Sequence, residues 1–159
     1  MKDLPTRKRI RLKGYDYSQE GAYFITICTQ NKYNLFGYVH VGANSVRPHL
    51  SDVGEIVKTA IEKISQVYTL VHVESYVIMP NHIHMILIVH NSSERTLCAP
   101  TVSRVVKQMK EYVTKQIGYC VWQKSYHDHI IRSEEDYHRI AKYIEENPAR
   151  WEDDCYFIK

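Results

Sequence analysis

From Tyr76 to Val89 two β-rich apolar runs flank Pro80-Asn81, a pair that favours a tight turn. No other stretch leaves the chain so few options. The runs are too rich in Val, Ile, Met and Leu to stand in water, so the hairpin they form has to be buried on at least one face. If the second run is a strand, side chains alternate between faces, so His82 and His84 point one way while Ile83, Met85 and Leu87 point the other. Two imidazoles then stand side by side on one surface of a sheet. Neutral imidazoles at this spacing can both reach one divalent ion, provided a third ligand comes from elsewhere. Alone, a His-x-His in a strand is ordinarily structural or half exposed, so the rest of the chain has to answer it.

With 159 residues the chain suits one domain spanning 1–159, long enough to bury a core without disulfide staples. Its net charge of +3 permits a nucleic-acid partner without demanding one. Cys28, Cys98, Cys120 and Cys155 lie far apart with no C-x-x-C pair, which argues against a zinc ribbon or a redox motif. With no signal peptide apparent, reduced thiols and a cytoplasmic location are expected. No apolar run approaches the ~18–20 residues of a membrane span, so no membrane partner is expected.

Residues 1–13 carry Arg7, Lys8, Arg9, Arg11 and Lys13 with little to bury and read as a basic arm, either a solvated terminus or a phosphate contact. Tyr23 to Cys28 reads as the first strand and Tyr33 to Val41 as a shorter β candidate, with 42–50 a loop. Ser51 can cap a helix bearing Val53, Ile56, Val57, Ala60, Ile61 and Ile64 at helical spacing. After the hairpin and a polar loop, a second helix runs from about Ser103 to Ile117, ended by Gly118. Its polar side shows Arg104, Lys107, Lys110 and Lys115, a set that solvates a surface or meets phosphates. Val121 to Gln123 and Tyr126 to Ile131 give a last β candidate. Ser133 then starts a helix over 133–147 that Pro148 stops, and a tail with Trp151, Tyr156 and Phe157 folds back on the domain.

Strand, helix, strand, strand, helix, strand and an extra helix is the order of an α+β ferredoxin-like sandwich. The expected antiparallel sheet has two helices on one face and the C-terminal helix on the other, where the histidines look. That helix carries Tyr143 and, four residues on at its end, Asn147. A phenol near a phosphate-binding metal suits nucleophilic attack on a phosphodiester, and the Asn147 amide oxygen can complete an N,N,O set suited to magnesium or manganese. Any of the 13 tyrosines can equally be plain packing.

Pro80-Asn81-His82-Ile83-His84, then Val121 to Arg132, then Tyr143-Ile144-Glu145-Glu146-Asn147-Pro148 resemble the REP-associated tyrosine transposases. These are relatives of the single-strand tyrosine transposases of bacterial insertion sequences, within the His-hydrophobic-His (HUH) nuclease class. Arg11 to Tyr17 and Gly21 to Phe24 are similar to the family too, so the resemblance spans nearly the whole chain in order. It implies a metal-dependent endonuclease and strand transferase that cleaves and rejoins single-stranded or hairpin DNA, serving DNA transposition and recombination. His82 and His84 become metal ligands with Asn147 as the third, the ion being Mg2+ or Mn2+. Tyr143 becomes the nucleophile, linked to a 5′ phosphate. Arg7, Arg9, Arg11 and Lys13, with Arg104, Lys107 and Lys110, become DNA contacts. Related insertion-sequence enzymes are dimers, so a homodimer with the tyrosine acting in cis or in trans is one arrangement.

Rival readings stay open at this stage. A nucleic-acid-binding regulatory protein on the same scaffold needs neither metal nor Tyr143, and a metal-assisted hydrolase would activate water instead. His127-Asp128-His129 is a second His-x-His, but an alternating strand turns Asp128 away from both histidines.

Overall fold

The computed structural model describes residues 14–40, 46–91 and 100–158. The main elements are β1 (Gly21–Cys28), β2 (Gly37–Val39), β3 (Pro48–Leu50), α1 (Asp52–Val67), β4 (Val71–Met79), β5 (His82–Val89), α2 (Val102–Ile117), β6 (His127–Ile131) and α3 (Glu134–Glu146). Short 3-10 turns occupy Gln30–Lys32 and Asn147–Asp153. The basic arm expected at 1–13, with Arg7, Arg9, Arg11 and Lys13, lies outside the described residues, as does Cys98; Cys28, Cys120 and Cys155 are free thiols.

Four strands form one antiparallel sheet in the order β4-β5-β1-β6, and β2 pairs with β3 in a separate two-stranded ribbon. This is the ferredoxin-like α+β sandwich. Alternation along the two central strands sorts the core into two layers. Tyr23, Ile25 and Ile27 of β1 with Ile83, Met85, Leu87 and Val89 of β5 bury against α1 and α2. On the other face Ile86 packs with Ile140 and Ile144 of α3 and with Trp151. His82 and His84 stand on that second face.

Edge strand β4 serves both layers because its pairing with β5 shifts register between Val73 and Ser75. Val71 and Val73 face the first layer before the bulge and Tyr76 and Ile78 after it, which frees Val77 and Met79 to face α3.

Each helix starts where its cap is written. Ser51 accepts from Gly54 N, Thr101 from Arg104 N and Ser133 from Asp136 N. Gly118 ends α2 with φ at 90°. Three expectations change. The candidate over 33–41 shrinks to Gly37–Val39, because Phe36 turns inward with no exposure and its N–H donates to Pro80 O. Its partner is Pro48–Leu50, inside the stretch expected to be a loop. Residues 121–123 contribute a single bridge, Thr29 to Trp122, instead of part of a long last strand. Among the described residues no helix is long and apolar enough to cross a membrane.

Gly54 sits under the Phe36 backbone: a Cβ there would lie 2.2 Å from Phe36 O, against main chain that cannot swing aside. Gly54→Ala should therefore destabilise by ~1–3 kcal/mol despite alanine's better helix propensity. Ser51→Ala, which loses the cap and the hydroxyl's bond to Leu35 O, should cost ~1–2 kcal/mol. Urea denaturation of both variants checks the two costs.

Candidate active site

The site is assembled from β1, β5, α3 and the turn after it. His82 is fully buried and His84 is 2% exposed, with ring centroids 4.5 Å apart. Asn81 sets the protonation of the first ring. Its Nδ2 donates to Lys32 O at 3.2 Å and to Tyr156 O at 2.8 Å, so the other amide atom, 2.9 Å from His82 Nδ1, is an acceptor. Nδ1 must then carry the proton, and Nε2 keeps its lone pair. That Nε2 is buried without a hydrogen-bond partner and lies 4.0 Å from Asp154 Oδ2. His84 is held on Nδ1 by Thr26 Oγ1 at 2.8 Å, its direct cross-strand neighbour.

Tyr143 reaches this pair from α3 within the same chain. Its hydroxyl lies 3.3 Å from His84 Nε2 and 3.5 Å from Asp154 Oδ2, and its ring meets Phe24 edge-on. It remains 41% exposed, open on a pocket of about 400 Å³ that Asn147, Arg150 and Asp154 also line. Burial, reinforced by the Asp154 charge, pushes its phenol up to about 12.

Asn147 is in the group too, 2% exposed. Its Nδ2 donates to Asp154 Oδ2 at 2.7 Å, and its Oδ1 is buried without a partner. Asp154 was not legible in the sequence. Its Oδ1 accepts from Tyr156 N at 2.7 Å, so the carboxylate is aimed from both sides. Ligand atoms of His82, His84 and Asp154 all lie within 4.8 Å of one another. Two imidazoles, one with an orphaned lone pair, a carboxylate and an orphaned amide oxygen are a donor set that fits a divalent cation.

His127 and His129 do not join them. Both point to the α3 face and Asp128 to the other, as alternation requires, but His129 Nε2 is taken by Asp136 at 2.7 Å. The α2 cations lie behind the sheet, away from the histidines. Arg104 is turned toward Tyr68, whose phenol its charge lowers against the larger raising effect of burial. Lys107 pairs with Glu111 at 3.6 Å, and Lys110 donates to Gln123 O at 2.7 Å.

Burial pushes both site histidines down to about 3 from the ordinary value of 6.5. They stay neutral in the folded protein and become protonated once unfolded, so folding binds fewer protons than unfolding below pH 6.5. Their contribution is full above that pH and drains away toward pH 3, at up to ~1.4 kcal/mol per pH unit for each ring. Metal-free protein should lose urea resistance between pH 6.5 and 5, before most carboxylates titrate. His82→Gln should about halve that slope, leaving the His84 share.

No known protein-family model matches the chain. An uncharacterized protein of Haemophilus influenzae is 35% identical, over 96% of this chain and 93% of that protein. The structure of a REP-associated tyrosine transposase bound to a REP hairpin superposes with a TM-score of 0.66 at 20% identity, covering 89% of this chain and 74% of that one. A putative transposase of Deinococcus radiodurans aligns more loosely, with a TM-score of 0.49 and 17% identity over 86% of this chain and 95% of that one. Near-complete mutual coverage at 35% identity means that the protein belongs to one family with the Haemophilus influenzae protein, and its fold is that of the REP-associated tyrosine transposase.

Proposed function

We propose that the protein is a metal-dependent tyrosine transposase and endonuclease, cleaving and rejoining single-stranded or hairpin DNA through a 5′-phosphotyrosine link. The observation that carries this reading is the Tyr143 hydroxyl lying 3.3 Å from His84 Nε2, at the mouth of a buried His-His-Asp group of the same chain. The fold shared with a transposase that binds a REP hairpin supports it.

His82 Nε2, His84 Nε2 and Asp154 would hold the ion, with Asn147 either a fourth ligand through Oδ1 or the residue that aims Asp154. A bound Mg2+ or Mn2+ polarises a phosphoryl oxygen and steadies developing negative charge. The protein's own part is to place the nucleophile. Tyr143 Oη attacks phosphorus, the bond from phosphorus to the 3′ oxygen breaks, and the leaving oxygen takes a proton to become a free 3′ hydroxyl. With the His84 Nε2 lone pair given to the ion, the Asp154 carboxylate is the neighbour left to take the phenol proton. Because the broken bond's energy is kept in the phosphotyrosine, the reverse attack by a 3′ hydroxyl rejoins DNA without a nucleotide cofactor. The open pocket beside Tyr143 gives the reacting phosphodiester room. Since one chain supplies both phenol and histidines, the reading favours action in cis.

Incubation with end-labelled, hairpin-bearing single-stranded DNA from repeats flanking its own gene, with Mn2+ or Mg2+, should give a protein-linked band on a denaturing gel. Tyr143→Phe should abolish the band and leave DNA affinity within about tenfold, since the phenol contributes at most one hydrogen bond. Binding without adduct would instead mark a regulatory protein, and cut product without adduct a water-using hydrolase. Calorimetric Mn2+ titration separates the ligands: Asp154→Ala should weaken binding at least tenfold. Asn147→Ala should weaken it as well, because Oδ1 and the Nδ2 bond that aims Asp154 are lost together.

A further inference from the structure

Behind the sheet, between α2 and residues 120–126, runs a groove of about 710 Å³. It takes in the Trp122 to Tyr126 part of the sequence motif, which the histidine and tyrosine site leaves unused. Its floor is apolar, with Val106, Cys120 and Trp122, and its rim carries Lys107, Lys110, Lys115 and Lys124. The acid in this lining, Glu111, is spent on Lys107, whereas Lys110, Lys115 and Lys124 have no carboxylate partner among the described residues.

We infer that this groove binds an unpaired stretch of DNA, bases on the apolar floor and phosphates on the lysine rim, continuous with the strand that reacts at Tyr143. The inference rests on the reading of the protein as an enzyme of DNA strands. Charge selects a polyanion, and shape selects among polyanions. A duplex turns its bases inward and offers a concave apolar floor nothing but phosphate, while unpaired bases can be seated there. Continuity follows from backbone connections. Gln123 N donates to Cys28 O at 2.9 Å, and Cys28 lies opposite His82 in the sheet. Two strand spacings, about 10 Å, therefore separate the groove wall from the His82 backbone. A strand leaving at Gln123 and Lys124 rounds that edge to the histidine face.

The test is fluorescence anisotropy with labelled oligodeoxythymidylate and an abasic strand of the same length, in a Tyr143→Phe background so that no covalent capture intervenes. Oligodeoxythymidylate should bind the parent at least about tenfold more tightly than the abasic strand, because each seated base contributes. Lys115→Glu with Lys124→Glu should weaken binding at least about tenfold and lower the slope of log affinity against log salt by about 1.4. Lys58→Glu on α1, outside the groove, should change neither. Lys107→Glu serves as a second groove variant if the double variant fails to give a native circular dichroism spectrum. Equal binding of thymidylate and abasic strands, or unchanged affinity in the groove variants, would overturn the proposal. Adduct formation in the wild-type protein, with Tyr143 kept, reports separately on the catalytic reading: adduct with unaffected groove variants sinks only the groove, and groove-dependent binding without adduct sinks only the chemistry.

Discussion

One buried amide organises the site. Asn81, with no exposure, sits in the turn between β4 and β5 and holds the 3-10 turn through Lys32 O, the tail through Tyr156 O and the metal-type pair through His82 Nδ1. Its own carbonyl accepts from Thr29 N and Thr29 Oγ1 at the end of β1. A buried amide is costly unless every donor and acceptor is met, so these bonds stand or fall together. Because the tail is docked through Tyr156, the carboxylate two residues earlier is docked as well. The lone pair of His82 and the position of Asp154 thus have a common cause.

Interactions between near neighbours in the chain were readable before the fold was known. The alternation that puts His82 and His84 together, the serines at 51 and 133 and the glycine at 118 act locally, and the structure uses each in the role expected. Tyr143 on α3 and Asn147 one residue past its end both reach Asp154, because helical spacing, a local property too, carries across the helix end. Asp154 was not legible. It follows Pro148 in a run with no helical or strand periodicity, and its course depends on Trp151 packing against the His82 ring and on the Asn81 bond to Tyr156, both long-range. An acidic run, Glu152-Asp153-Asp154, wedged between aromatic residues that bury, was the signal available. The short pairing of Pro48–Leu50 escaped for a similar reason: three residues opening on proline carry too little pattern, and the partner strand defines them.

The second His-x-His shows why spacing is not a site. His127 and His129 have the same alternation as the first pair and face the same way, yet they sit on the sheet's edge strand, exposed, with Asp136 within reach of His129. His82 and His84 lie on a central strand under α3 and the tail, where burial removes competing water and leaves a lone pair unspent. Position in the sheet, which no local motif encodes, separates the two.

The bulge in β4 has a bearing on how copies of the protein meet one another. β4 is nine residues long and forms an open rim of the sheet, the kind of backbone row on which a second chain could zip and begin an aggregate. The register shift at Val73 and Ser75 breaks that row in the middle, and Glu74, 3.4 Å from His72, places a carboxylate where a flat apolar surface would invite stacking. The residue that lets one strand feed two cores therefore also spoils the strand as a template.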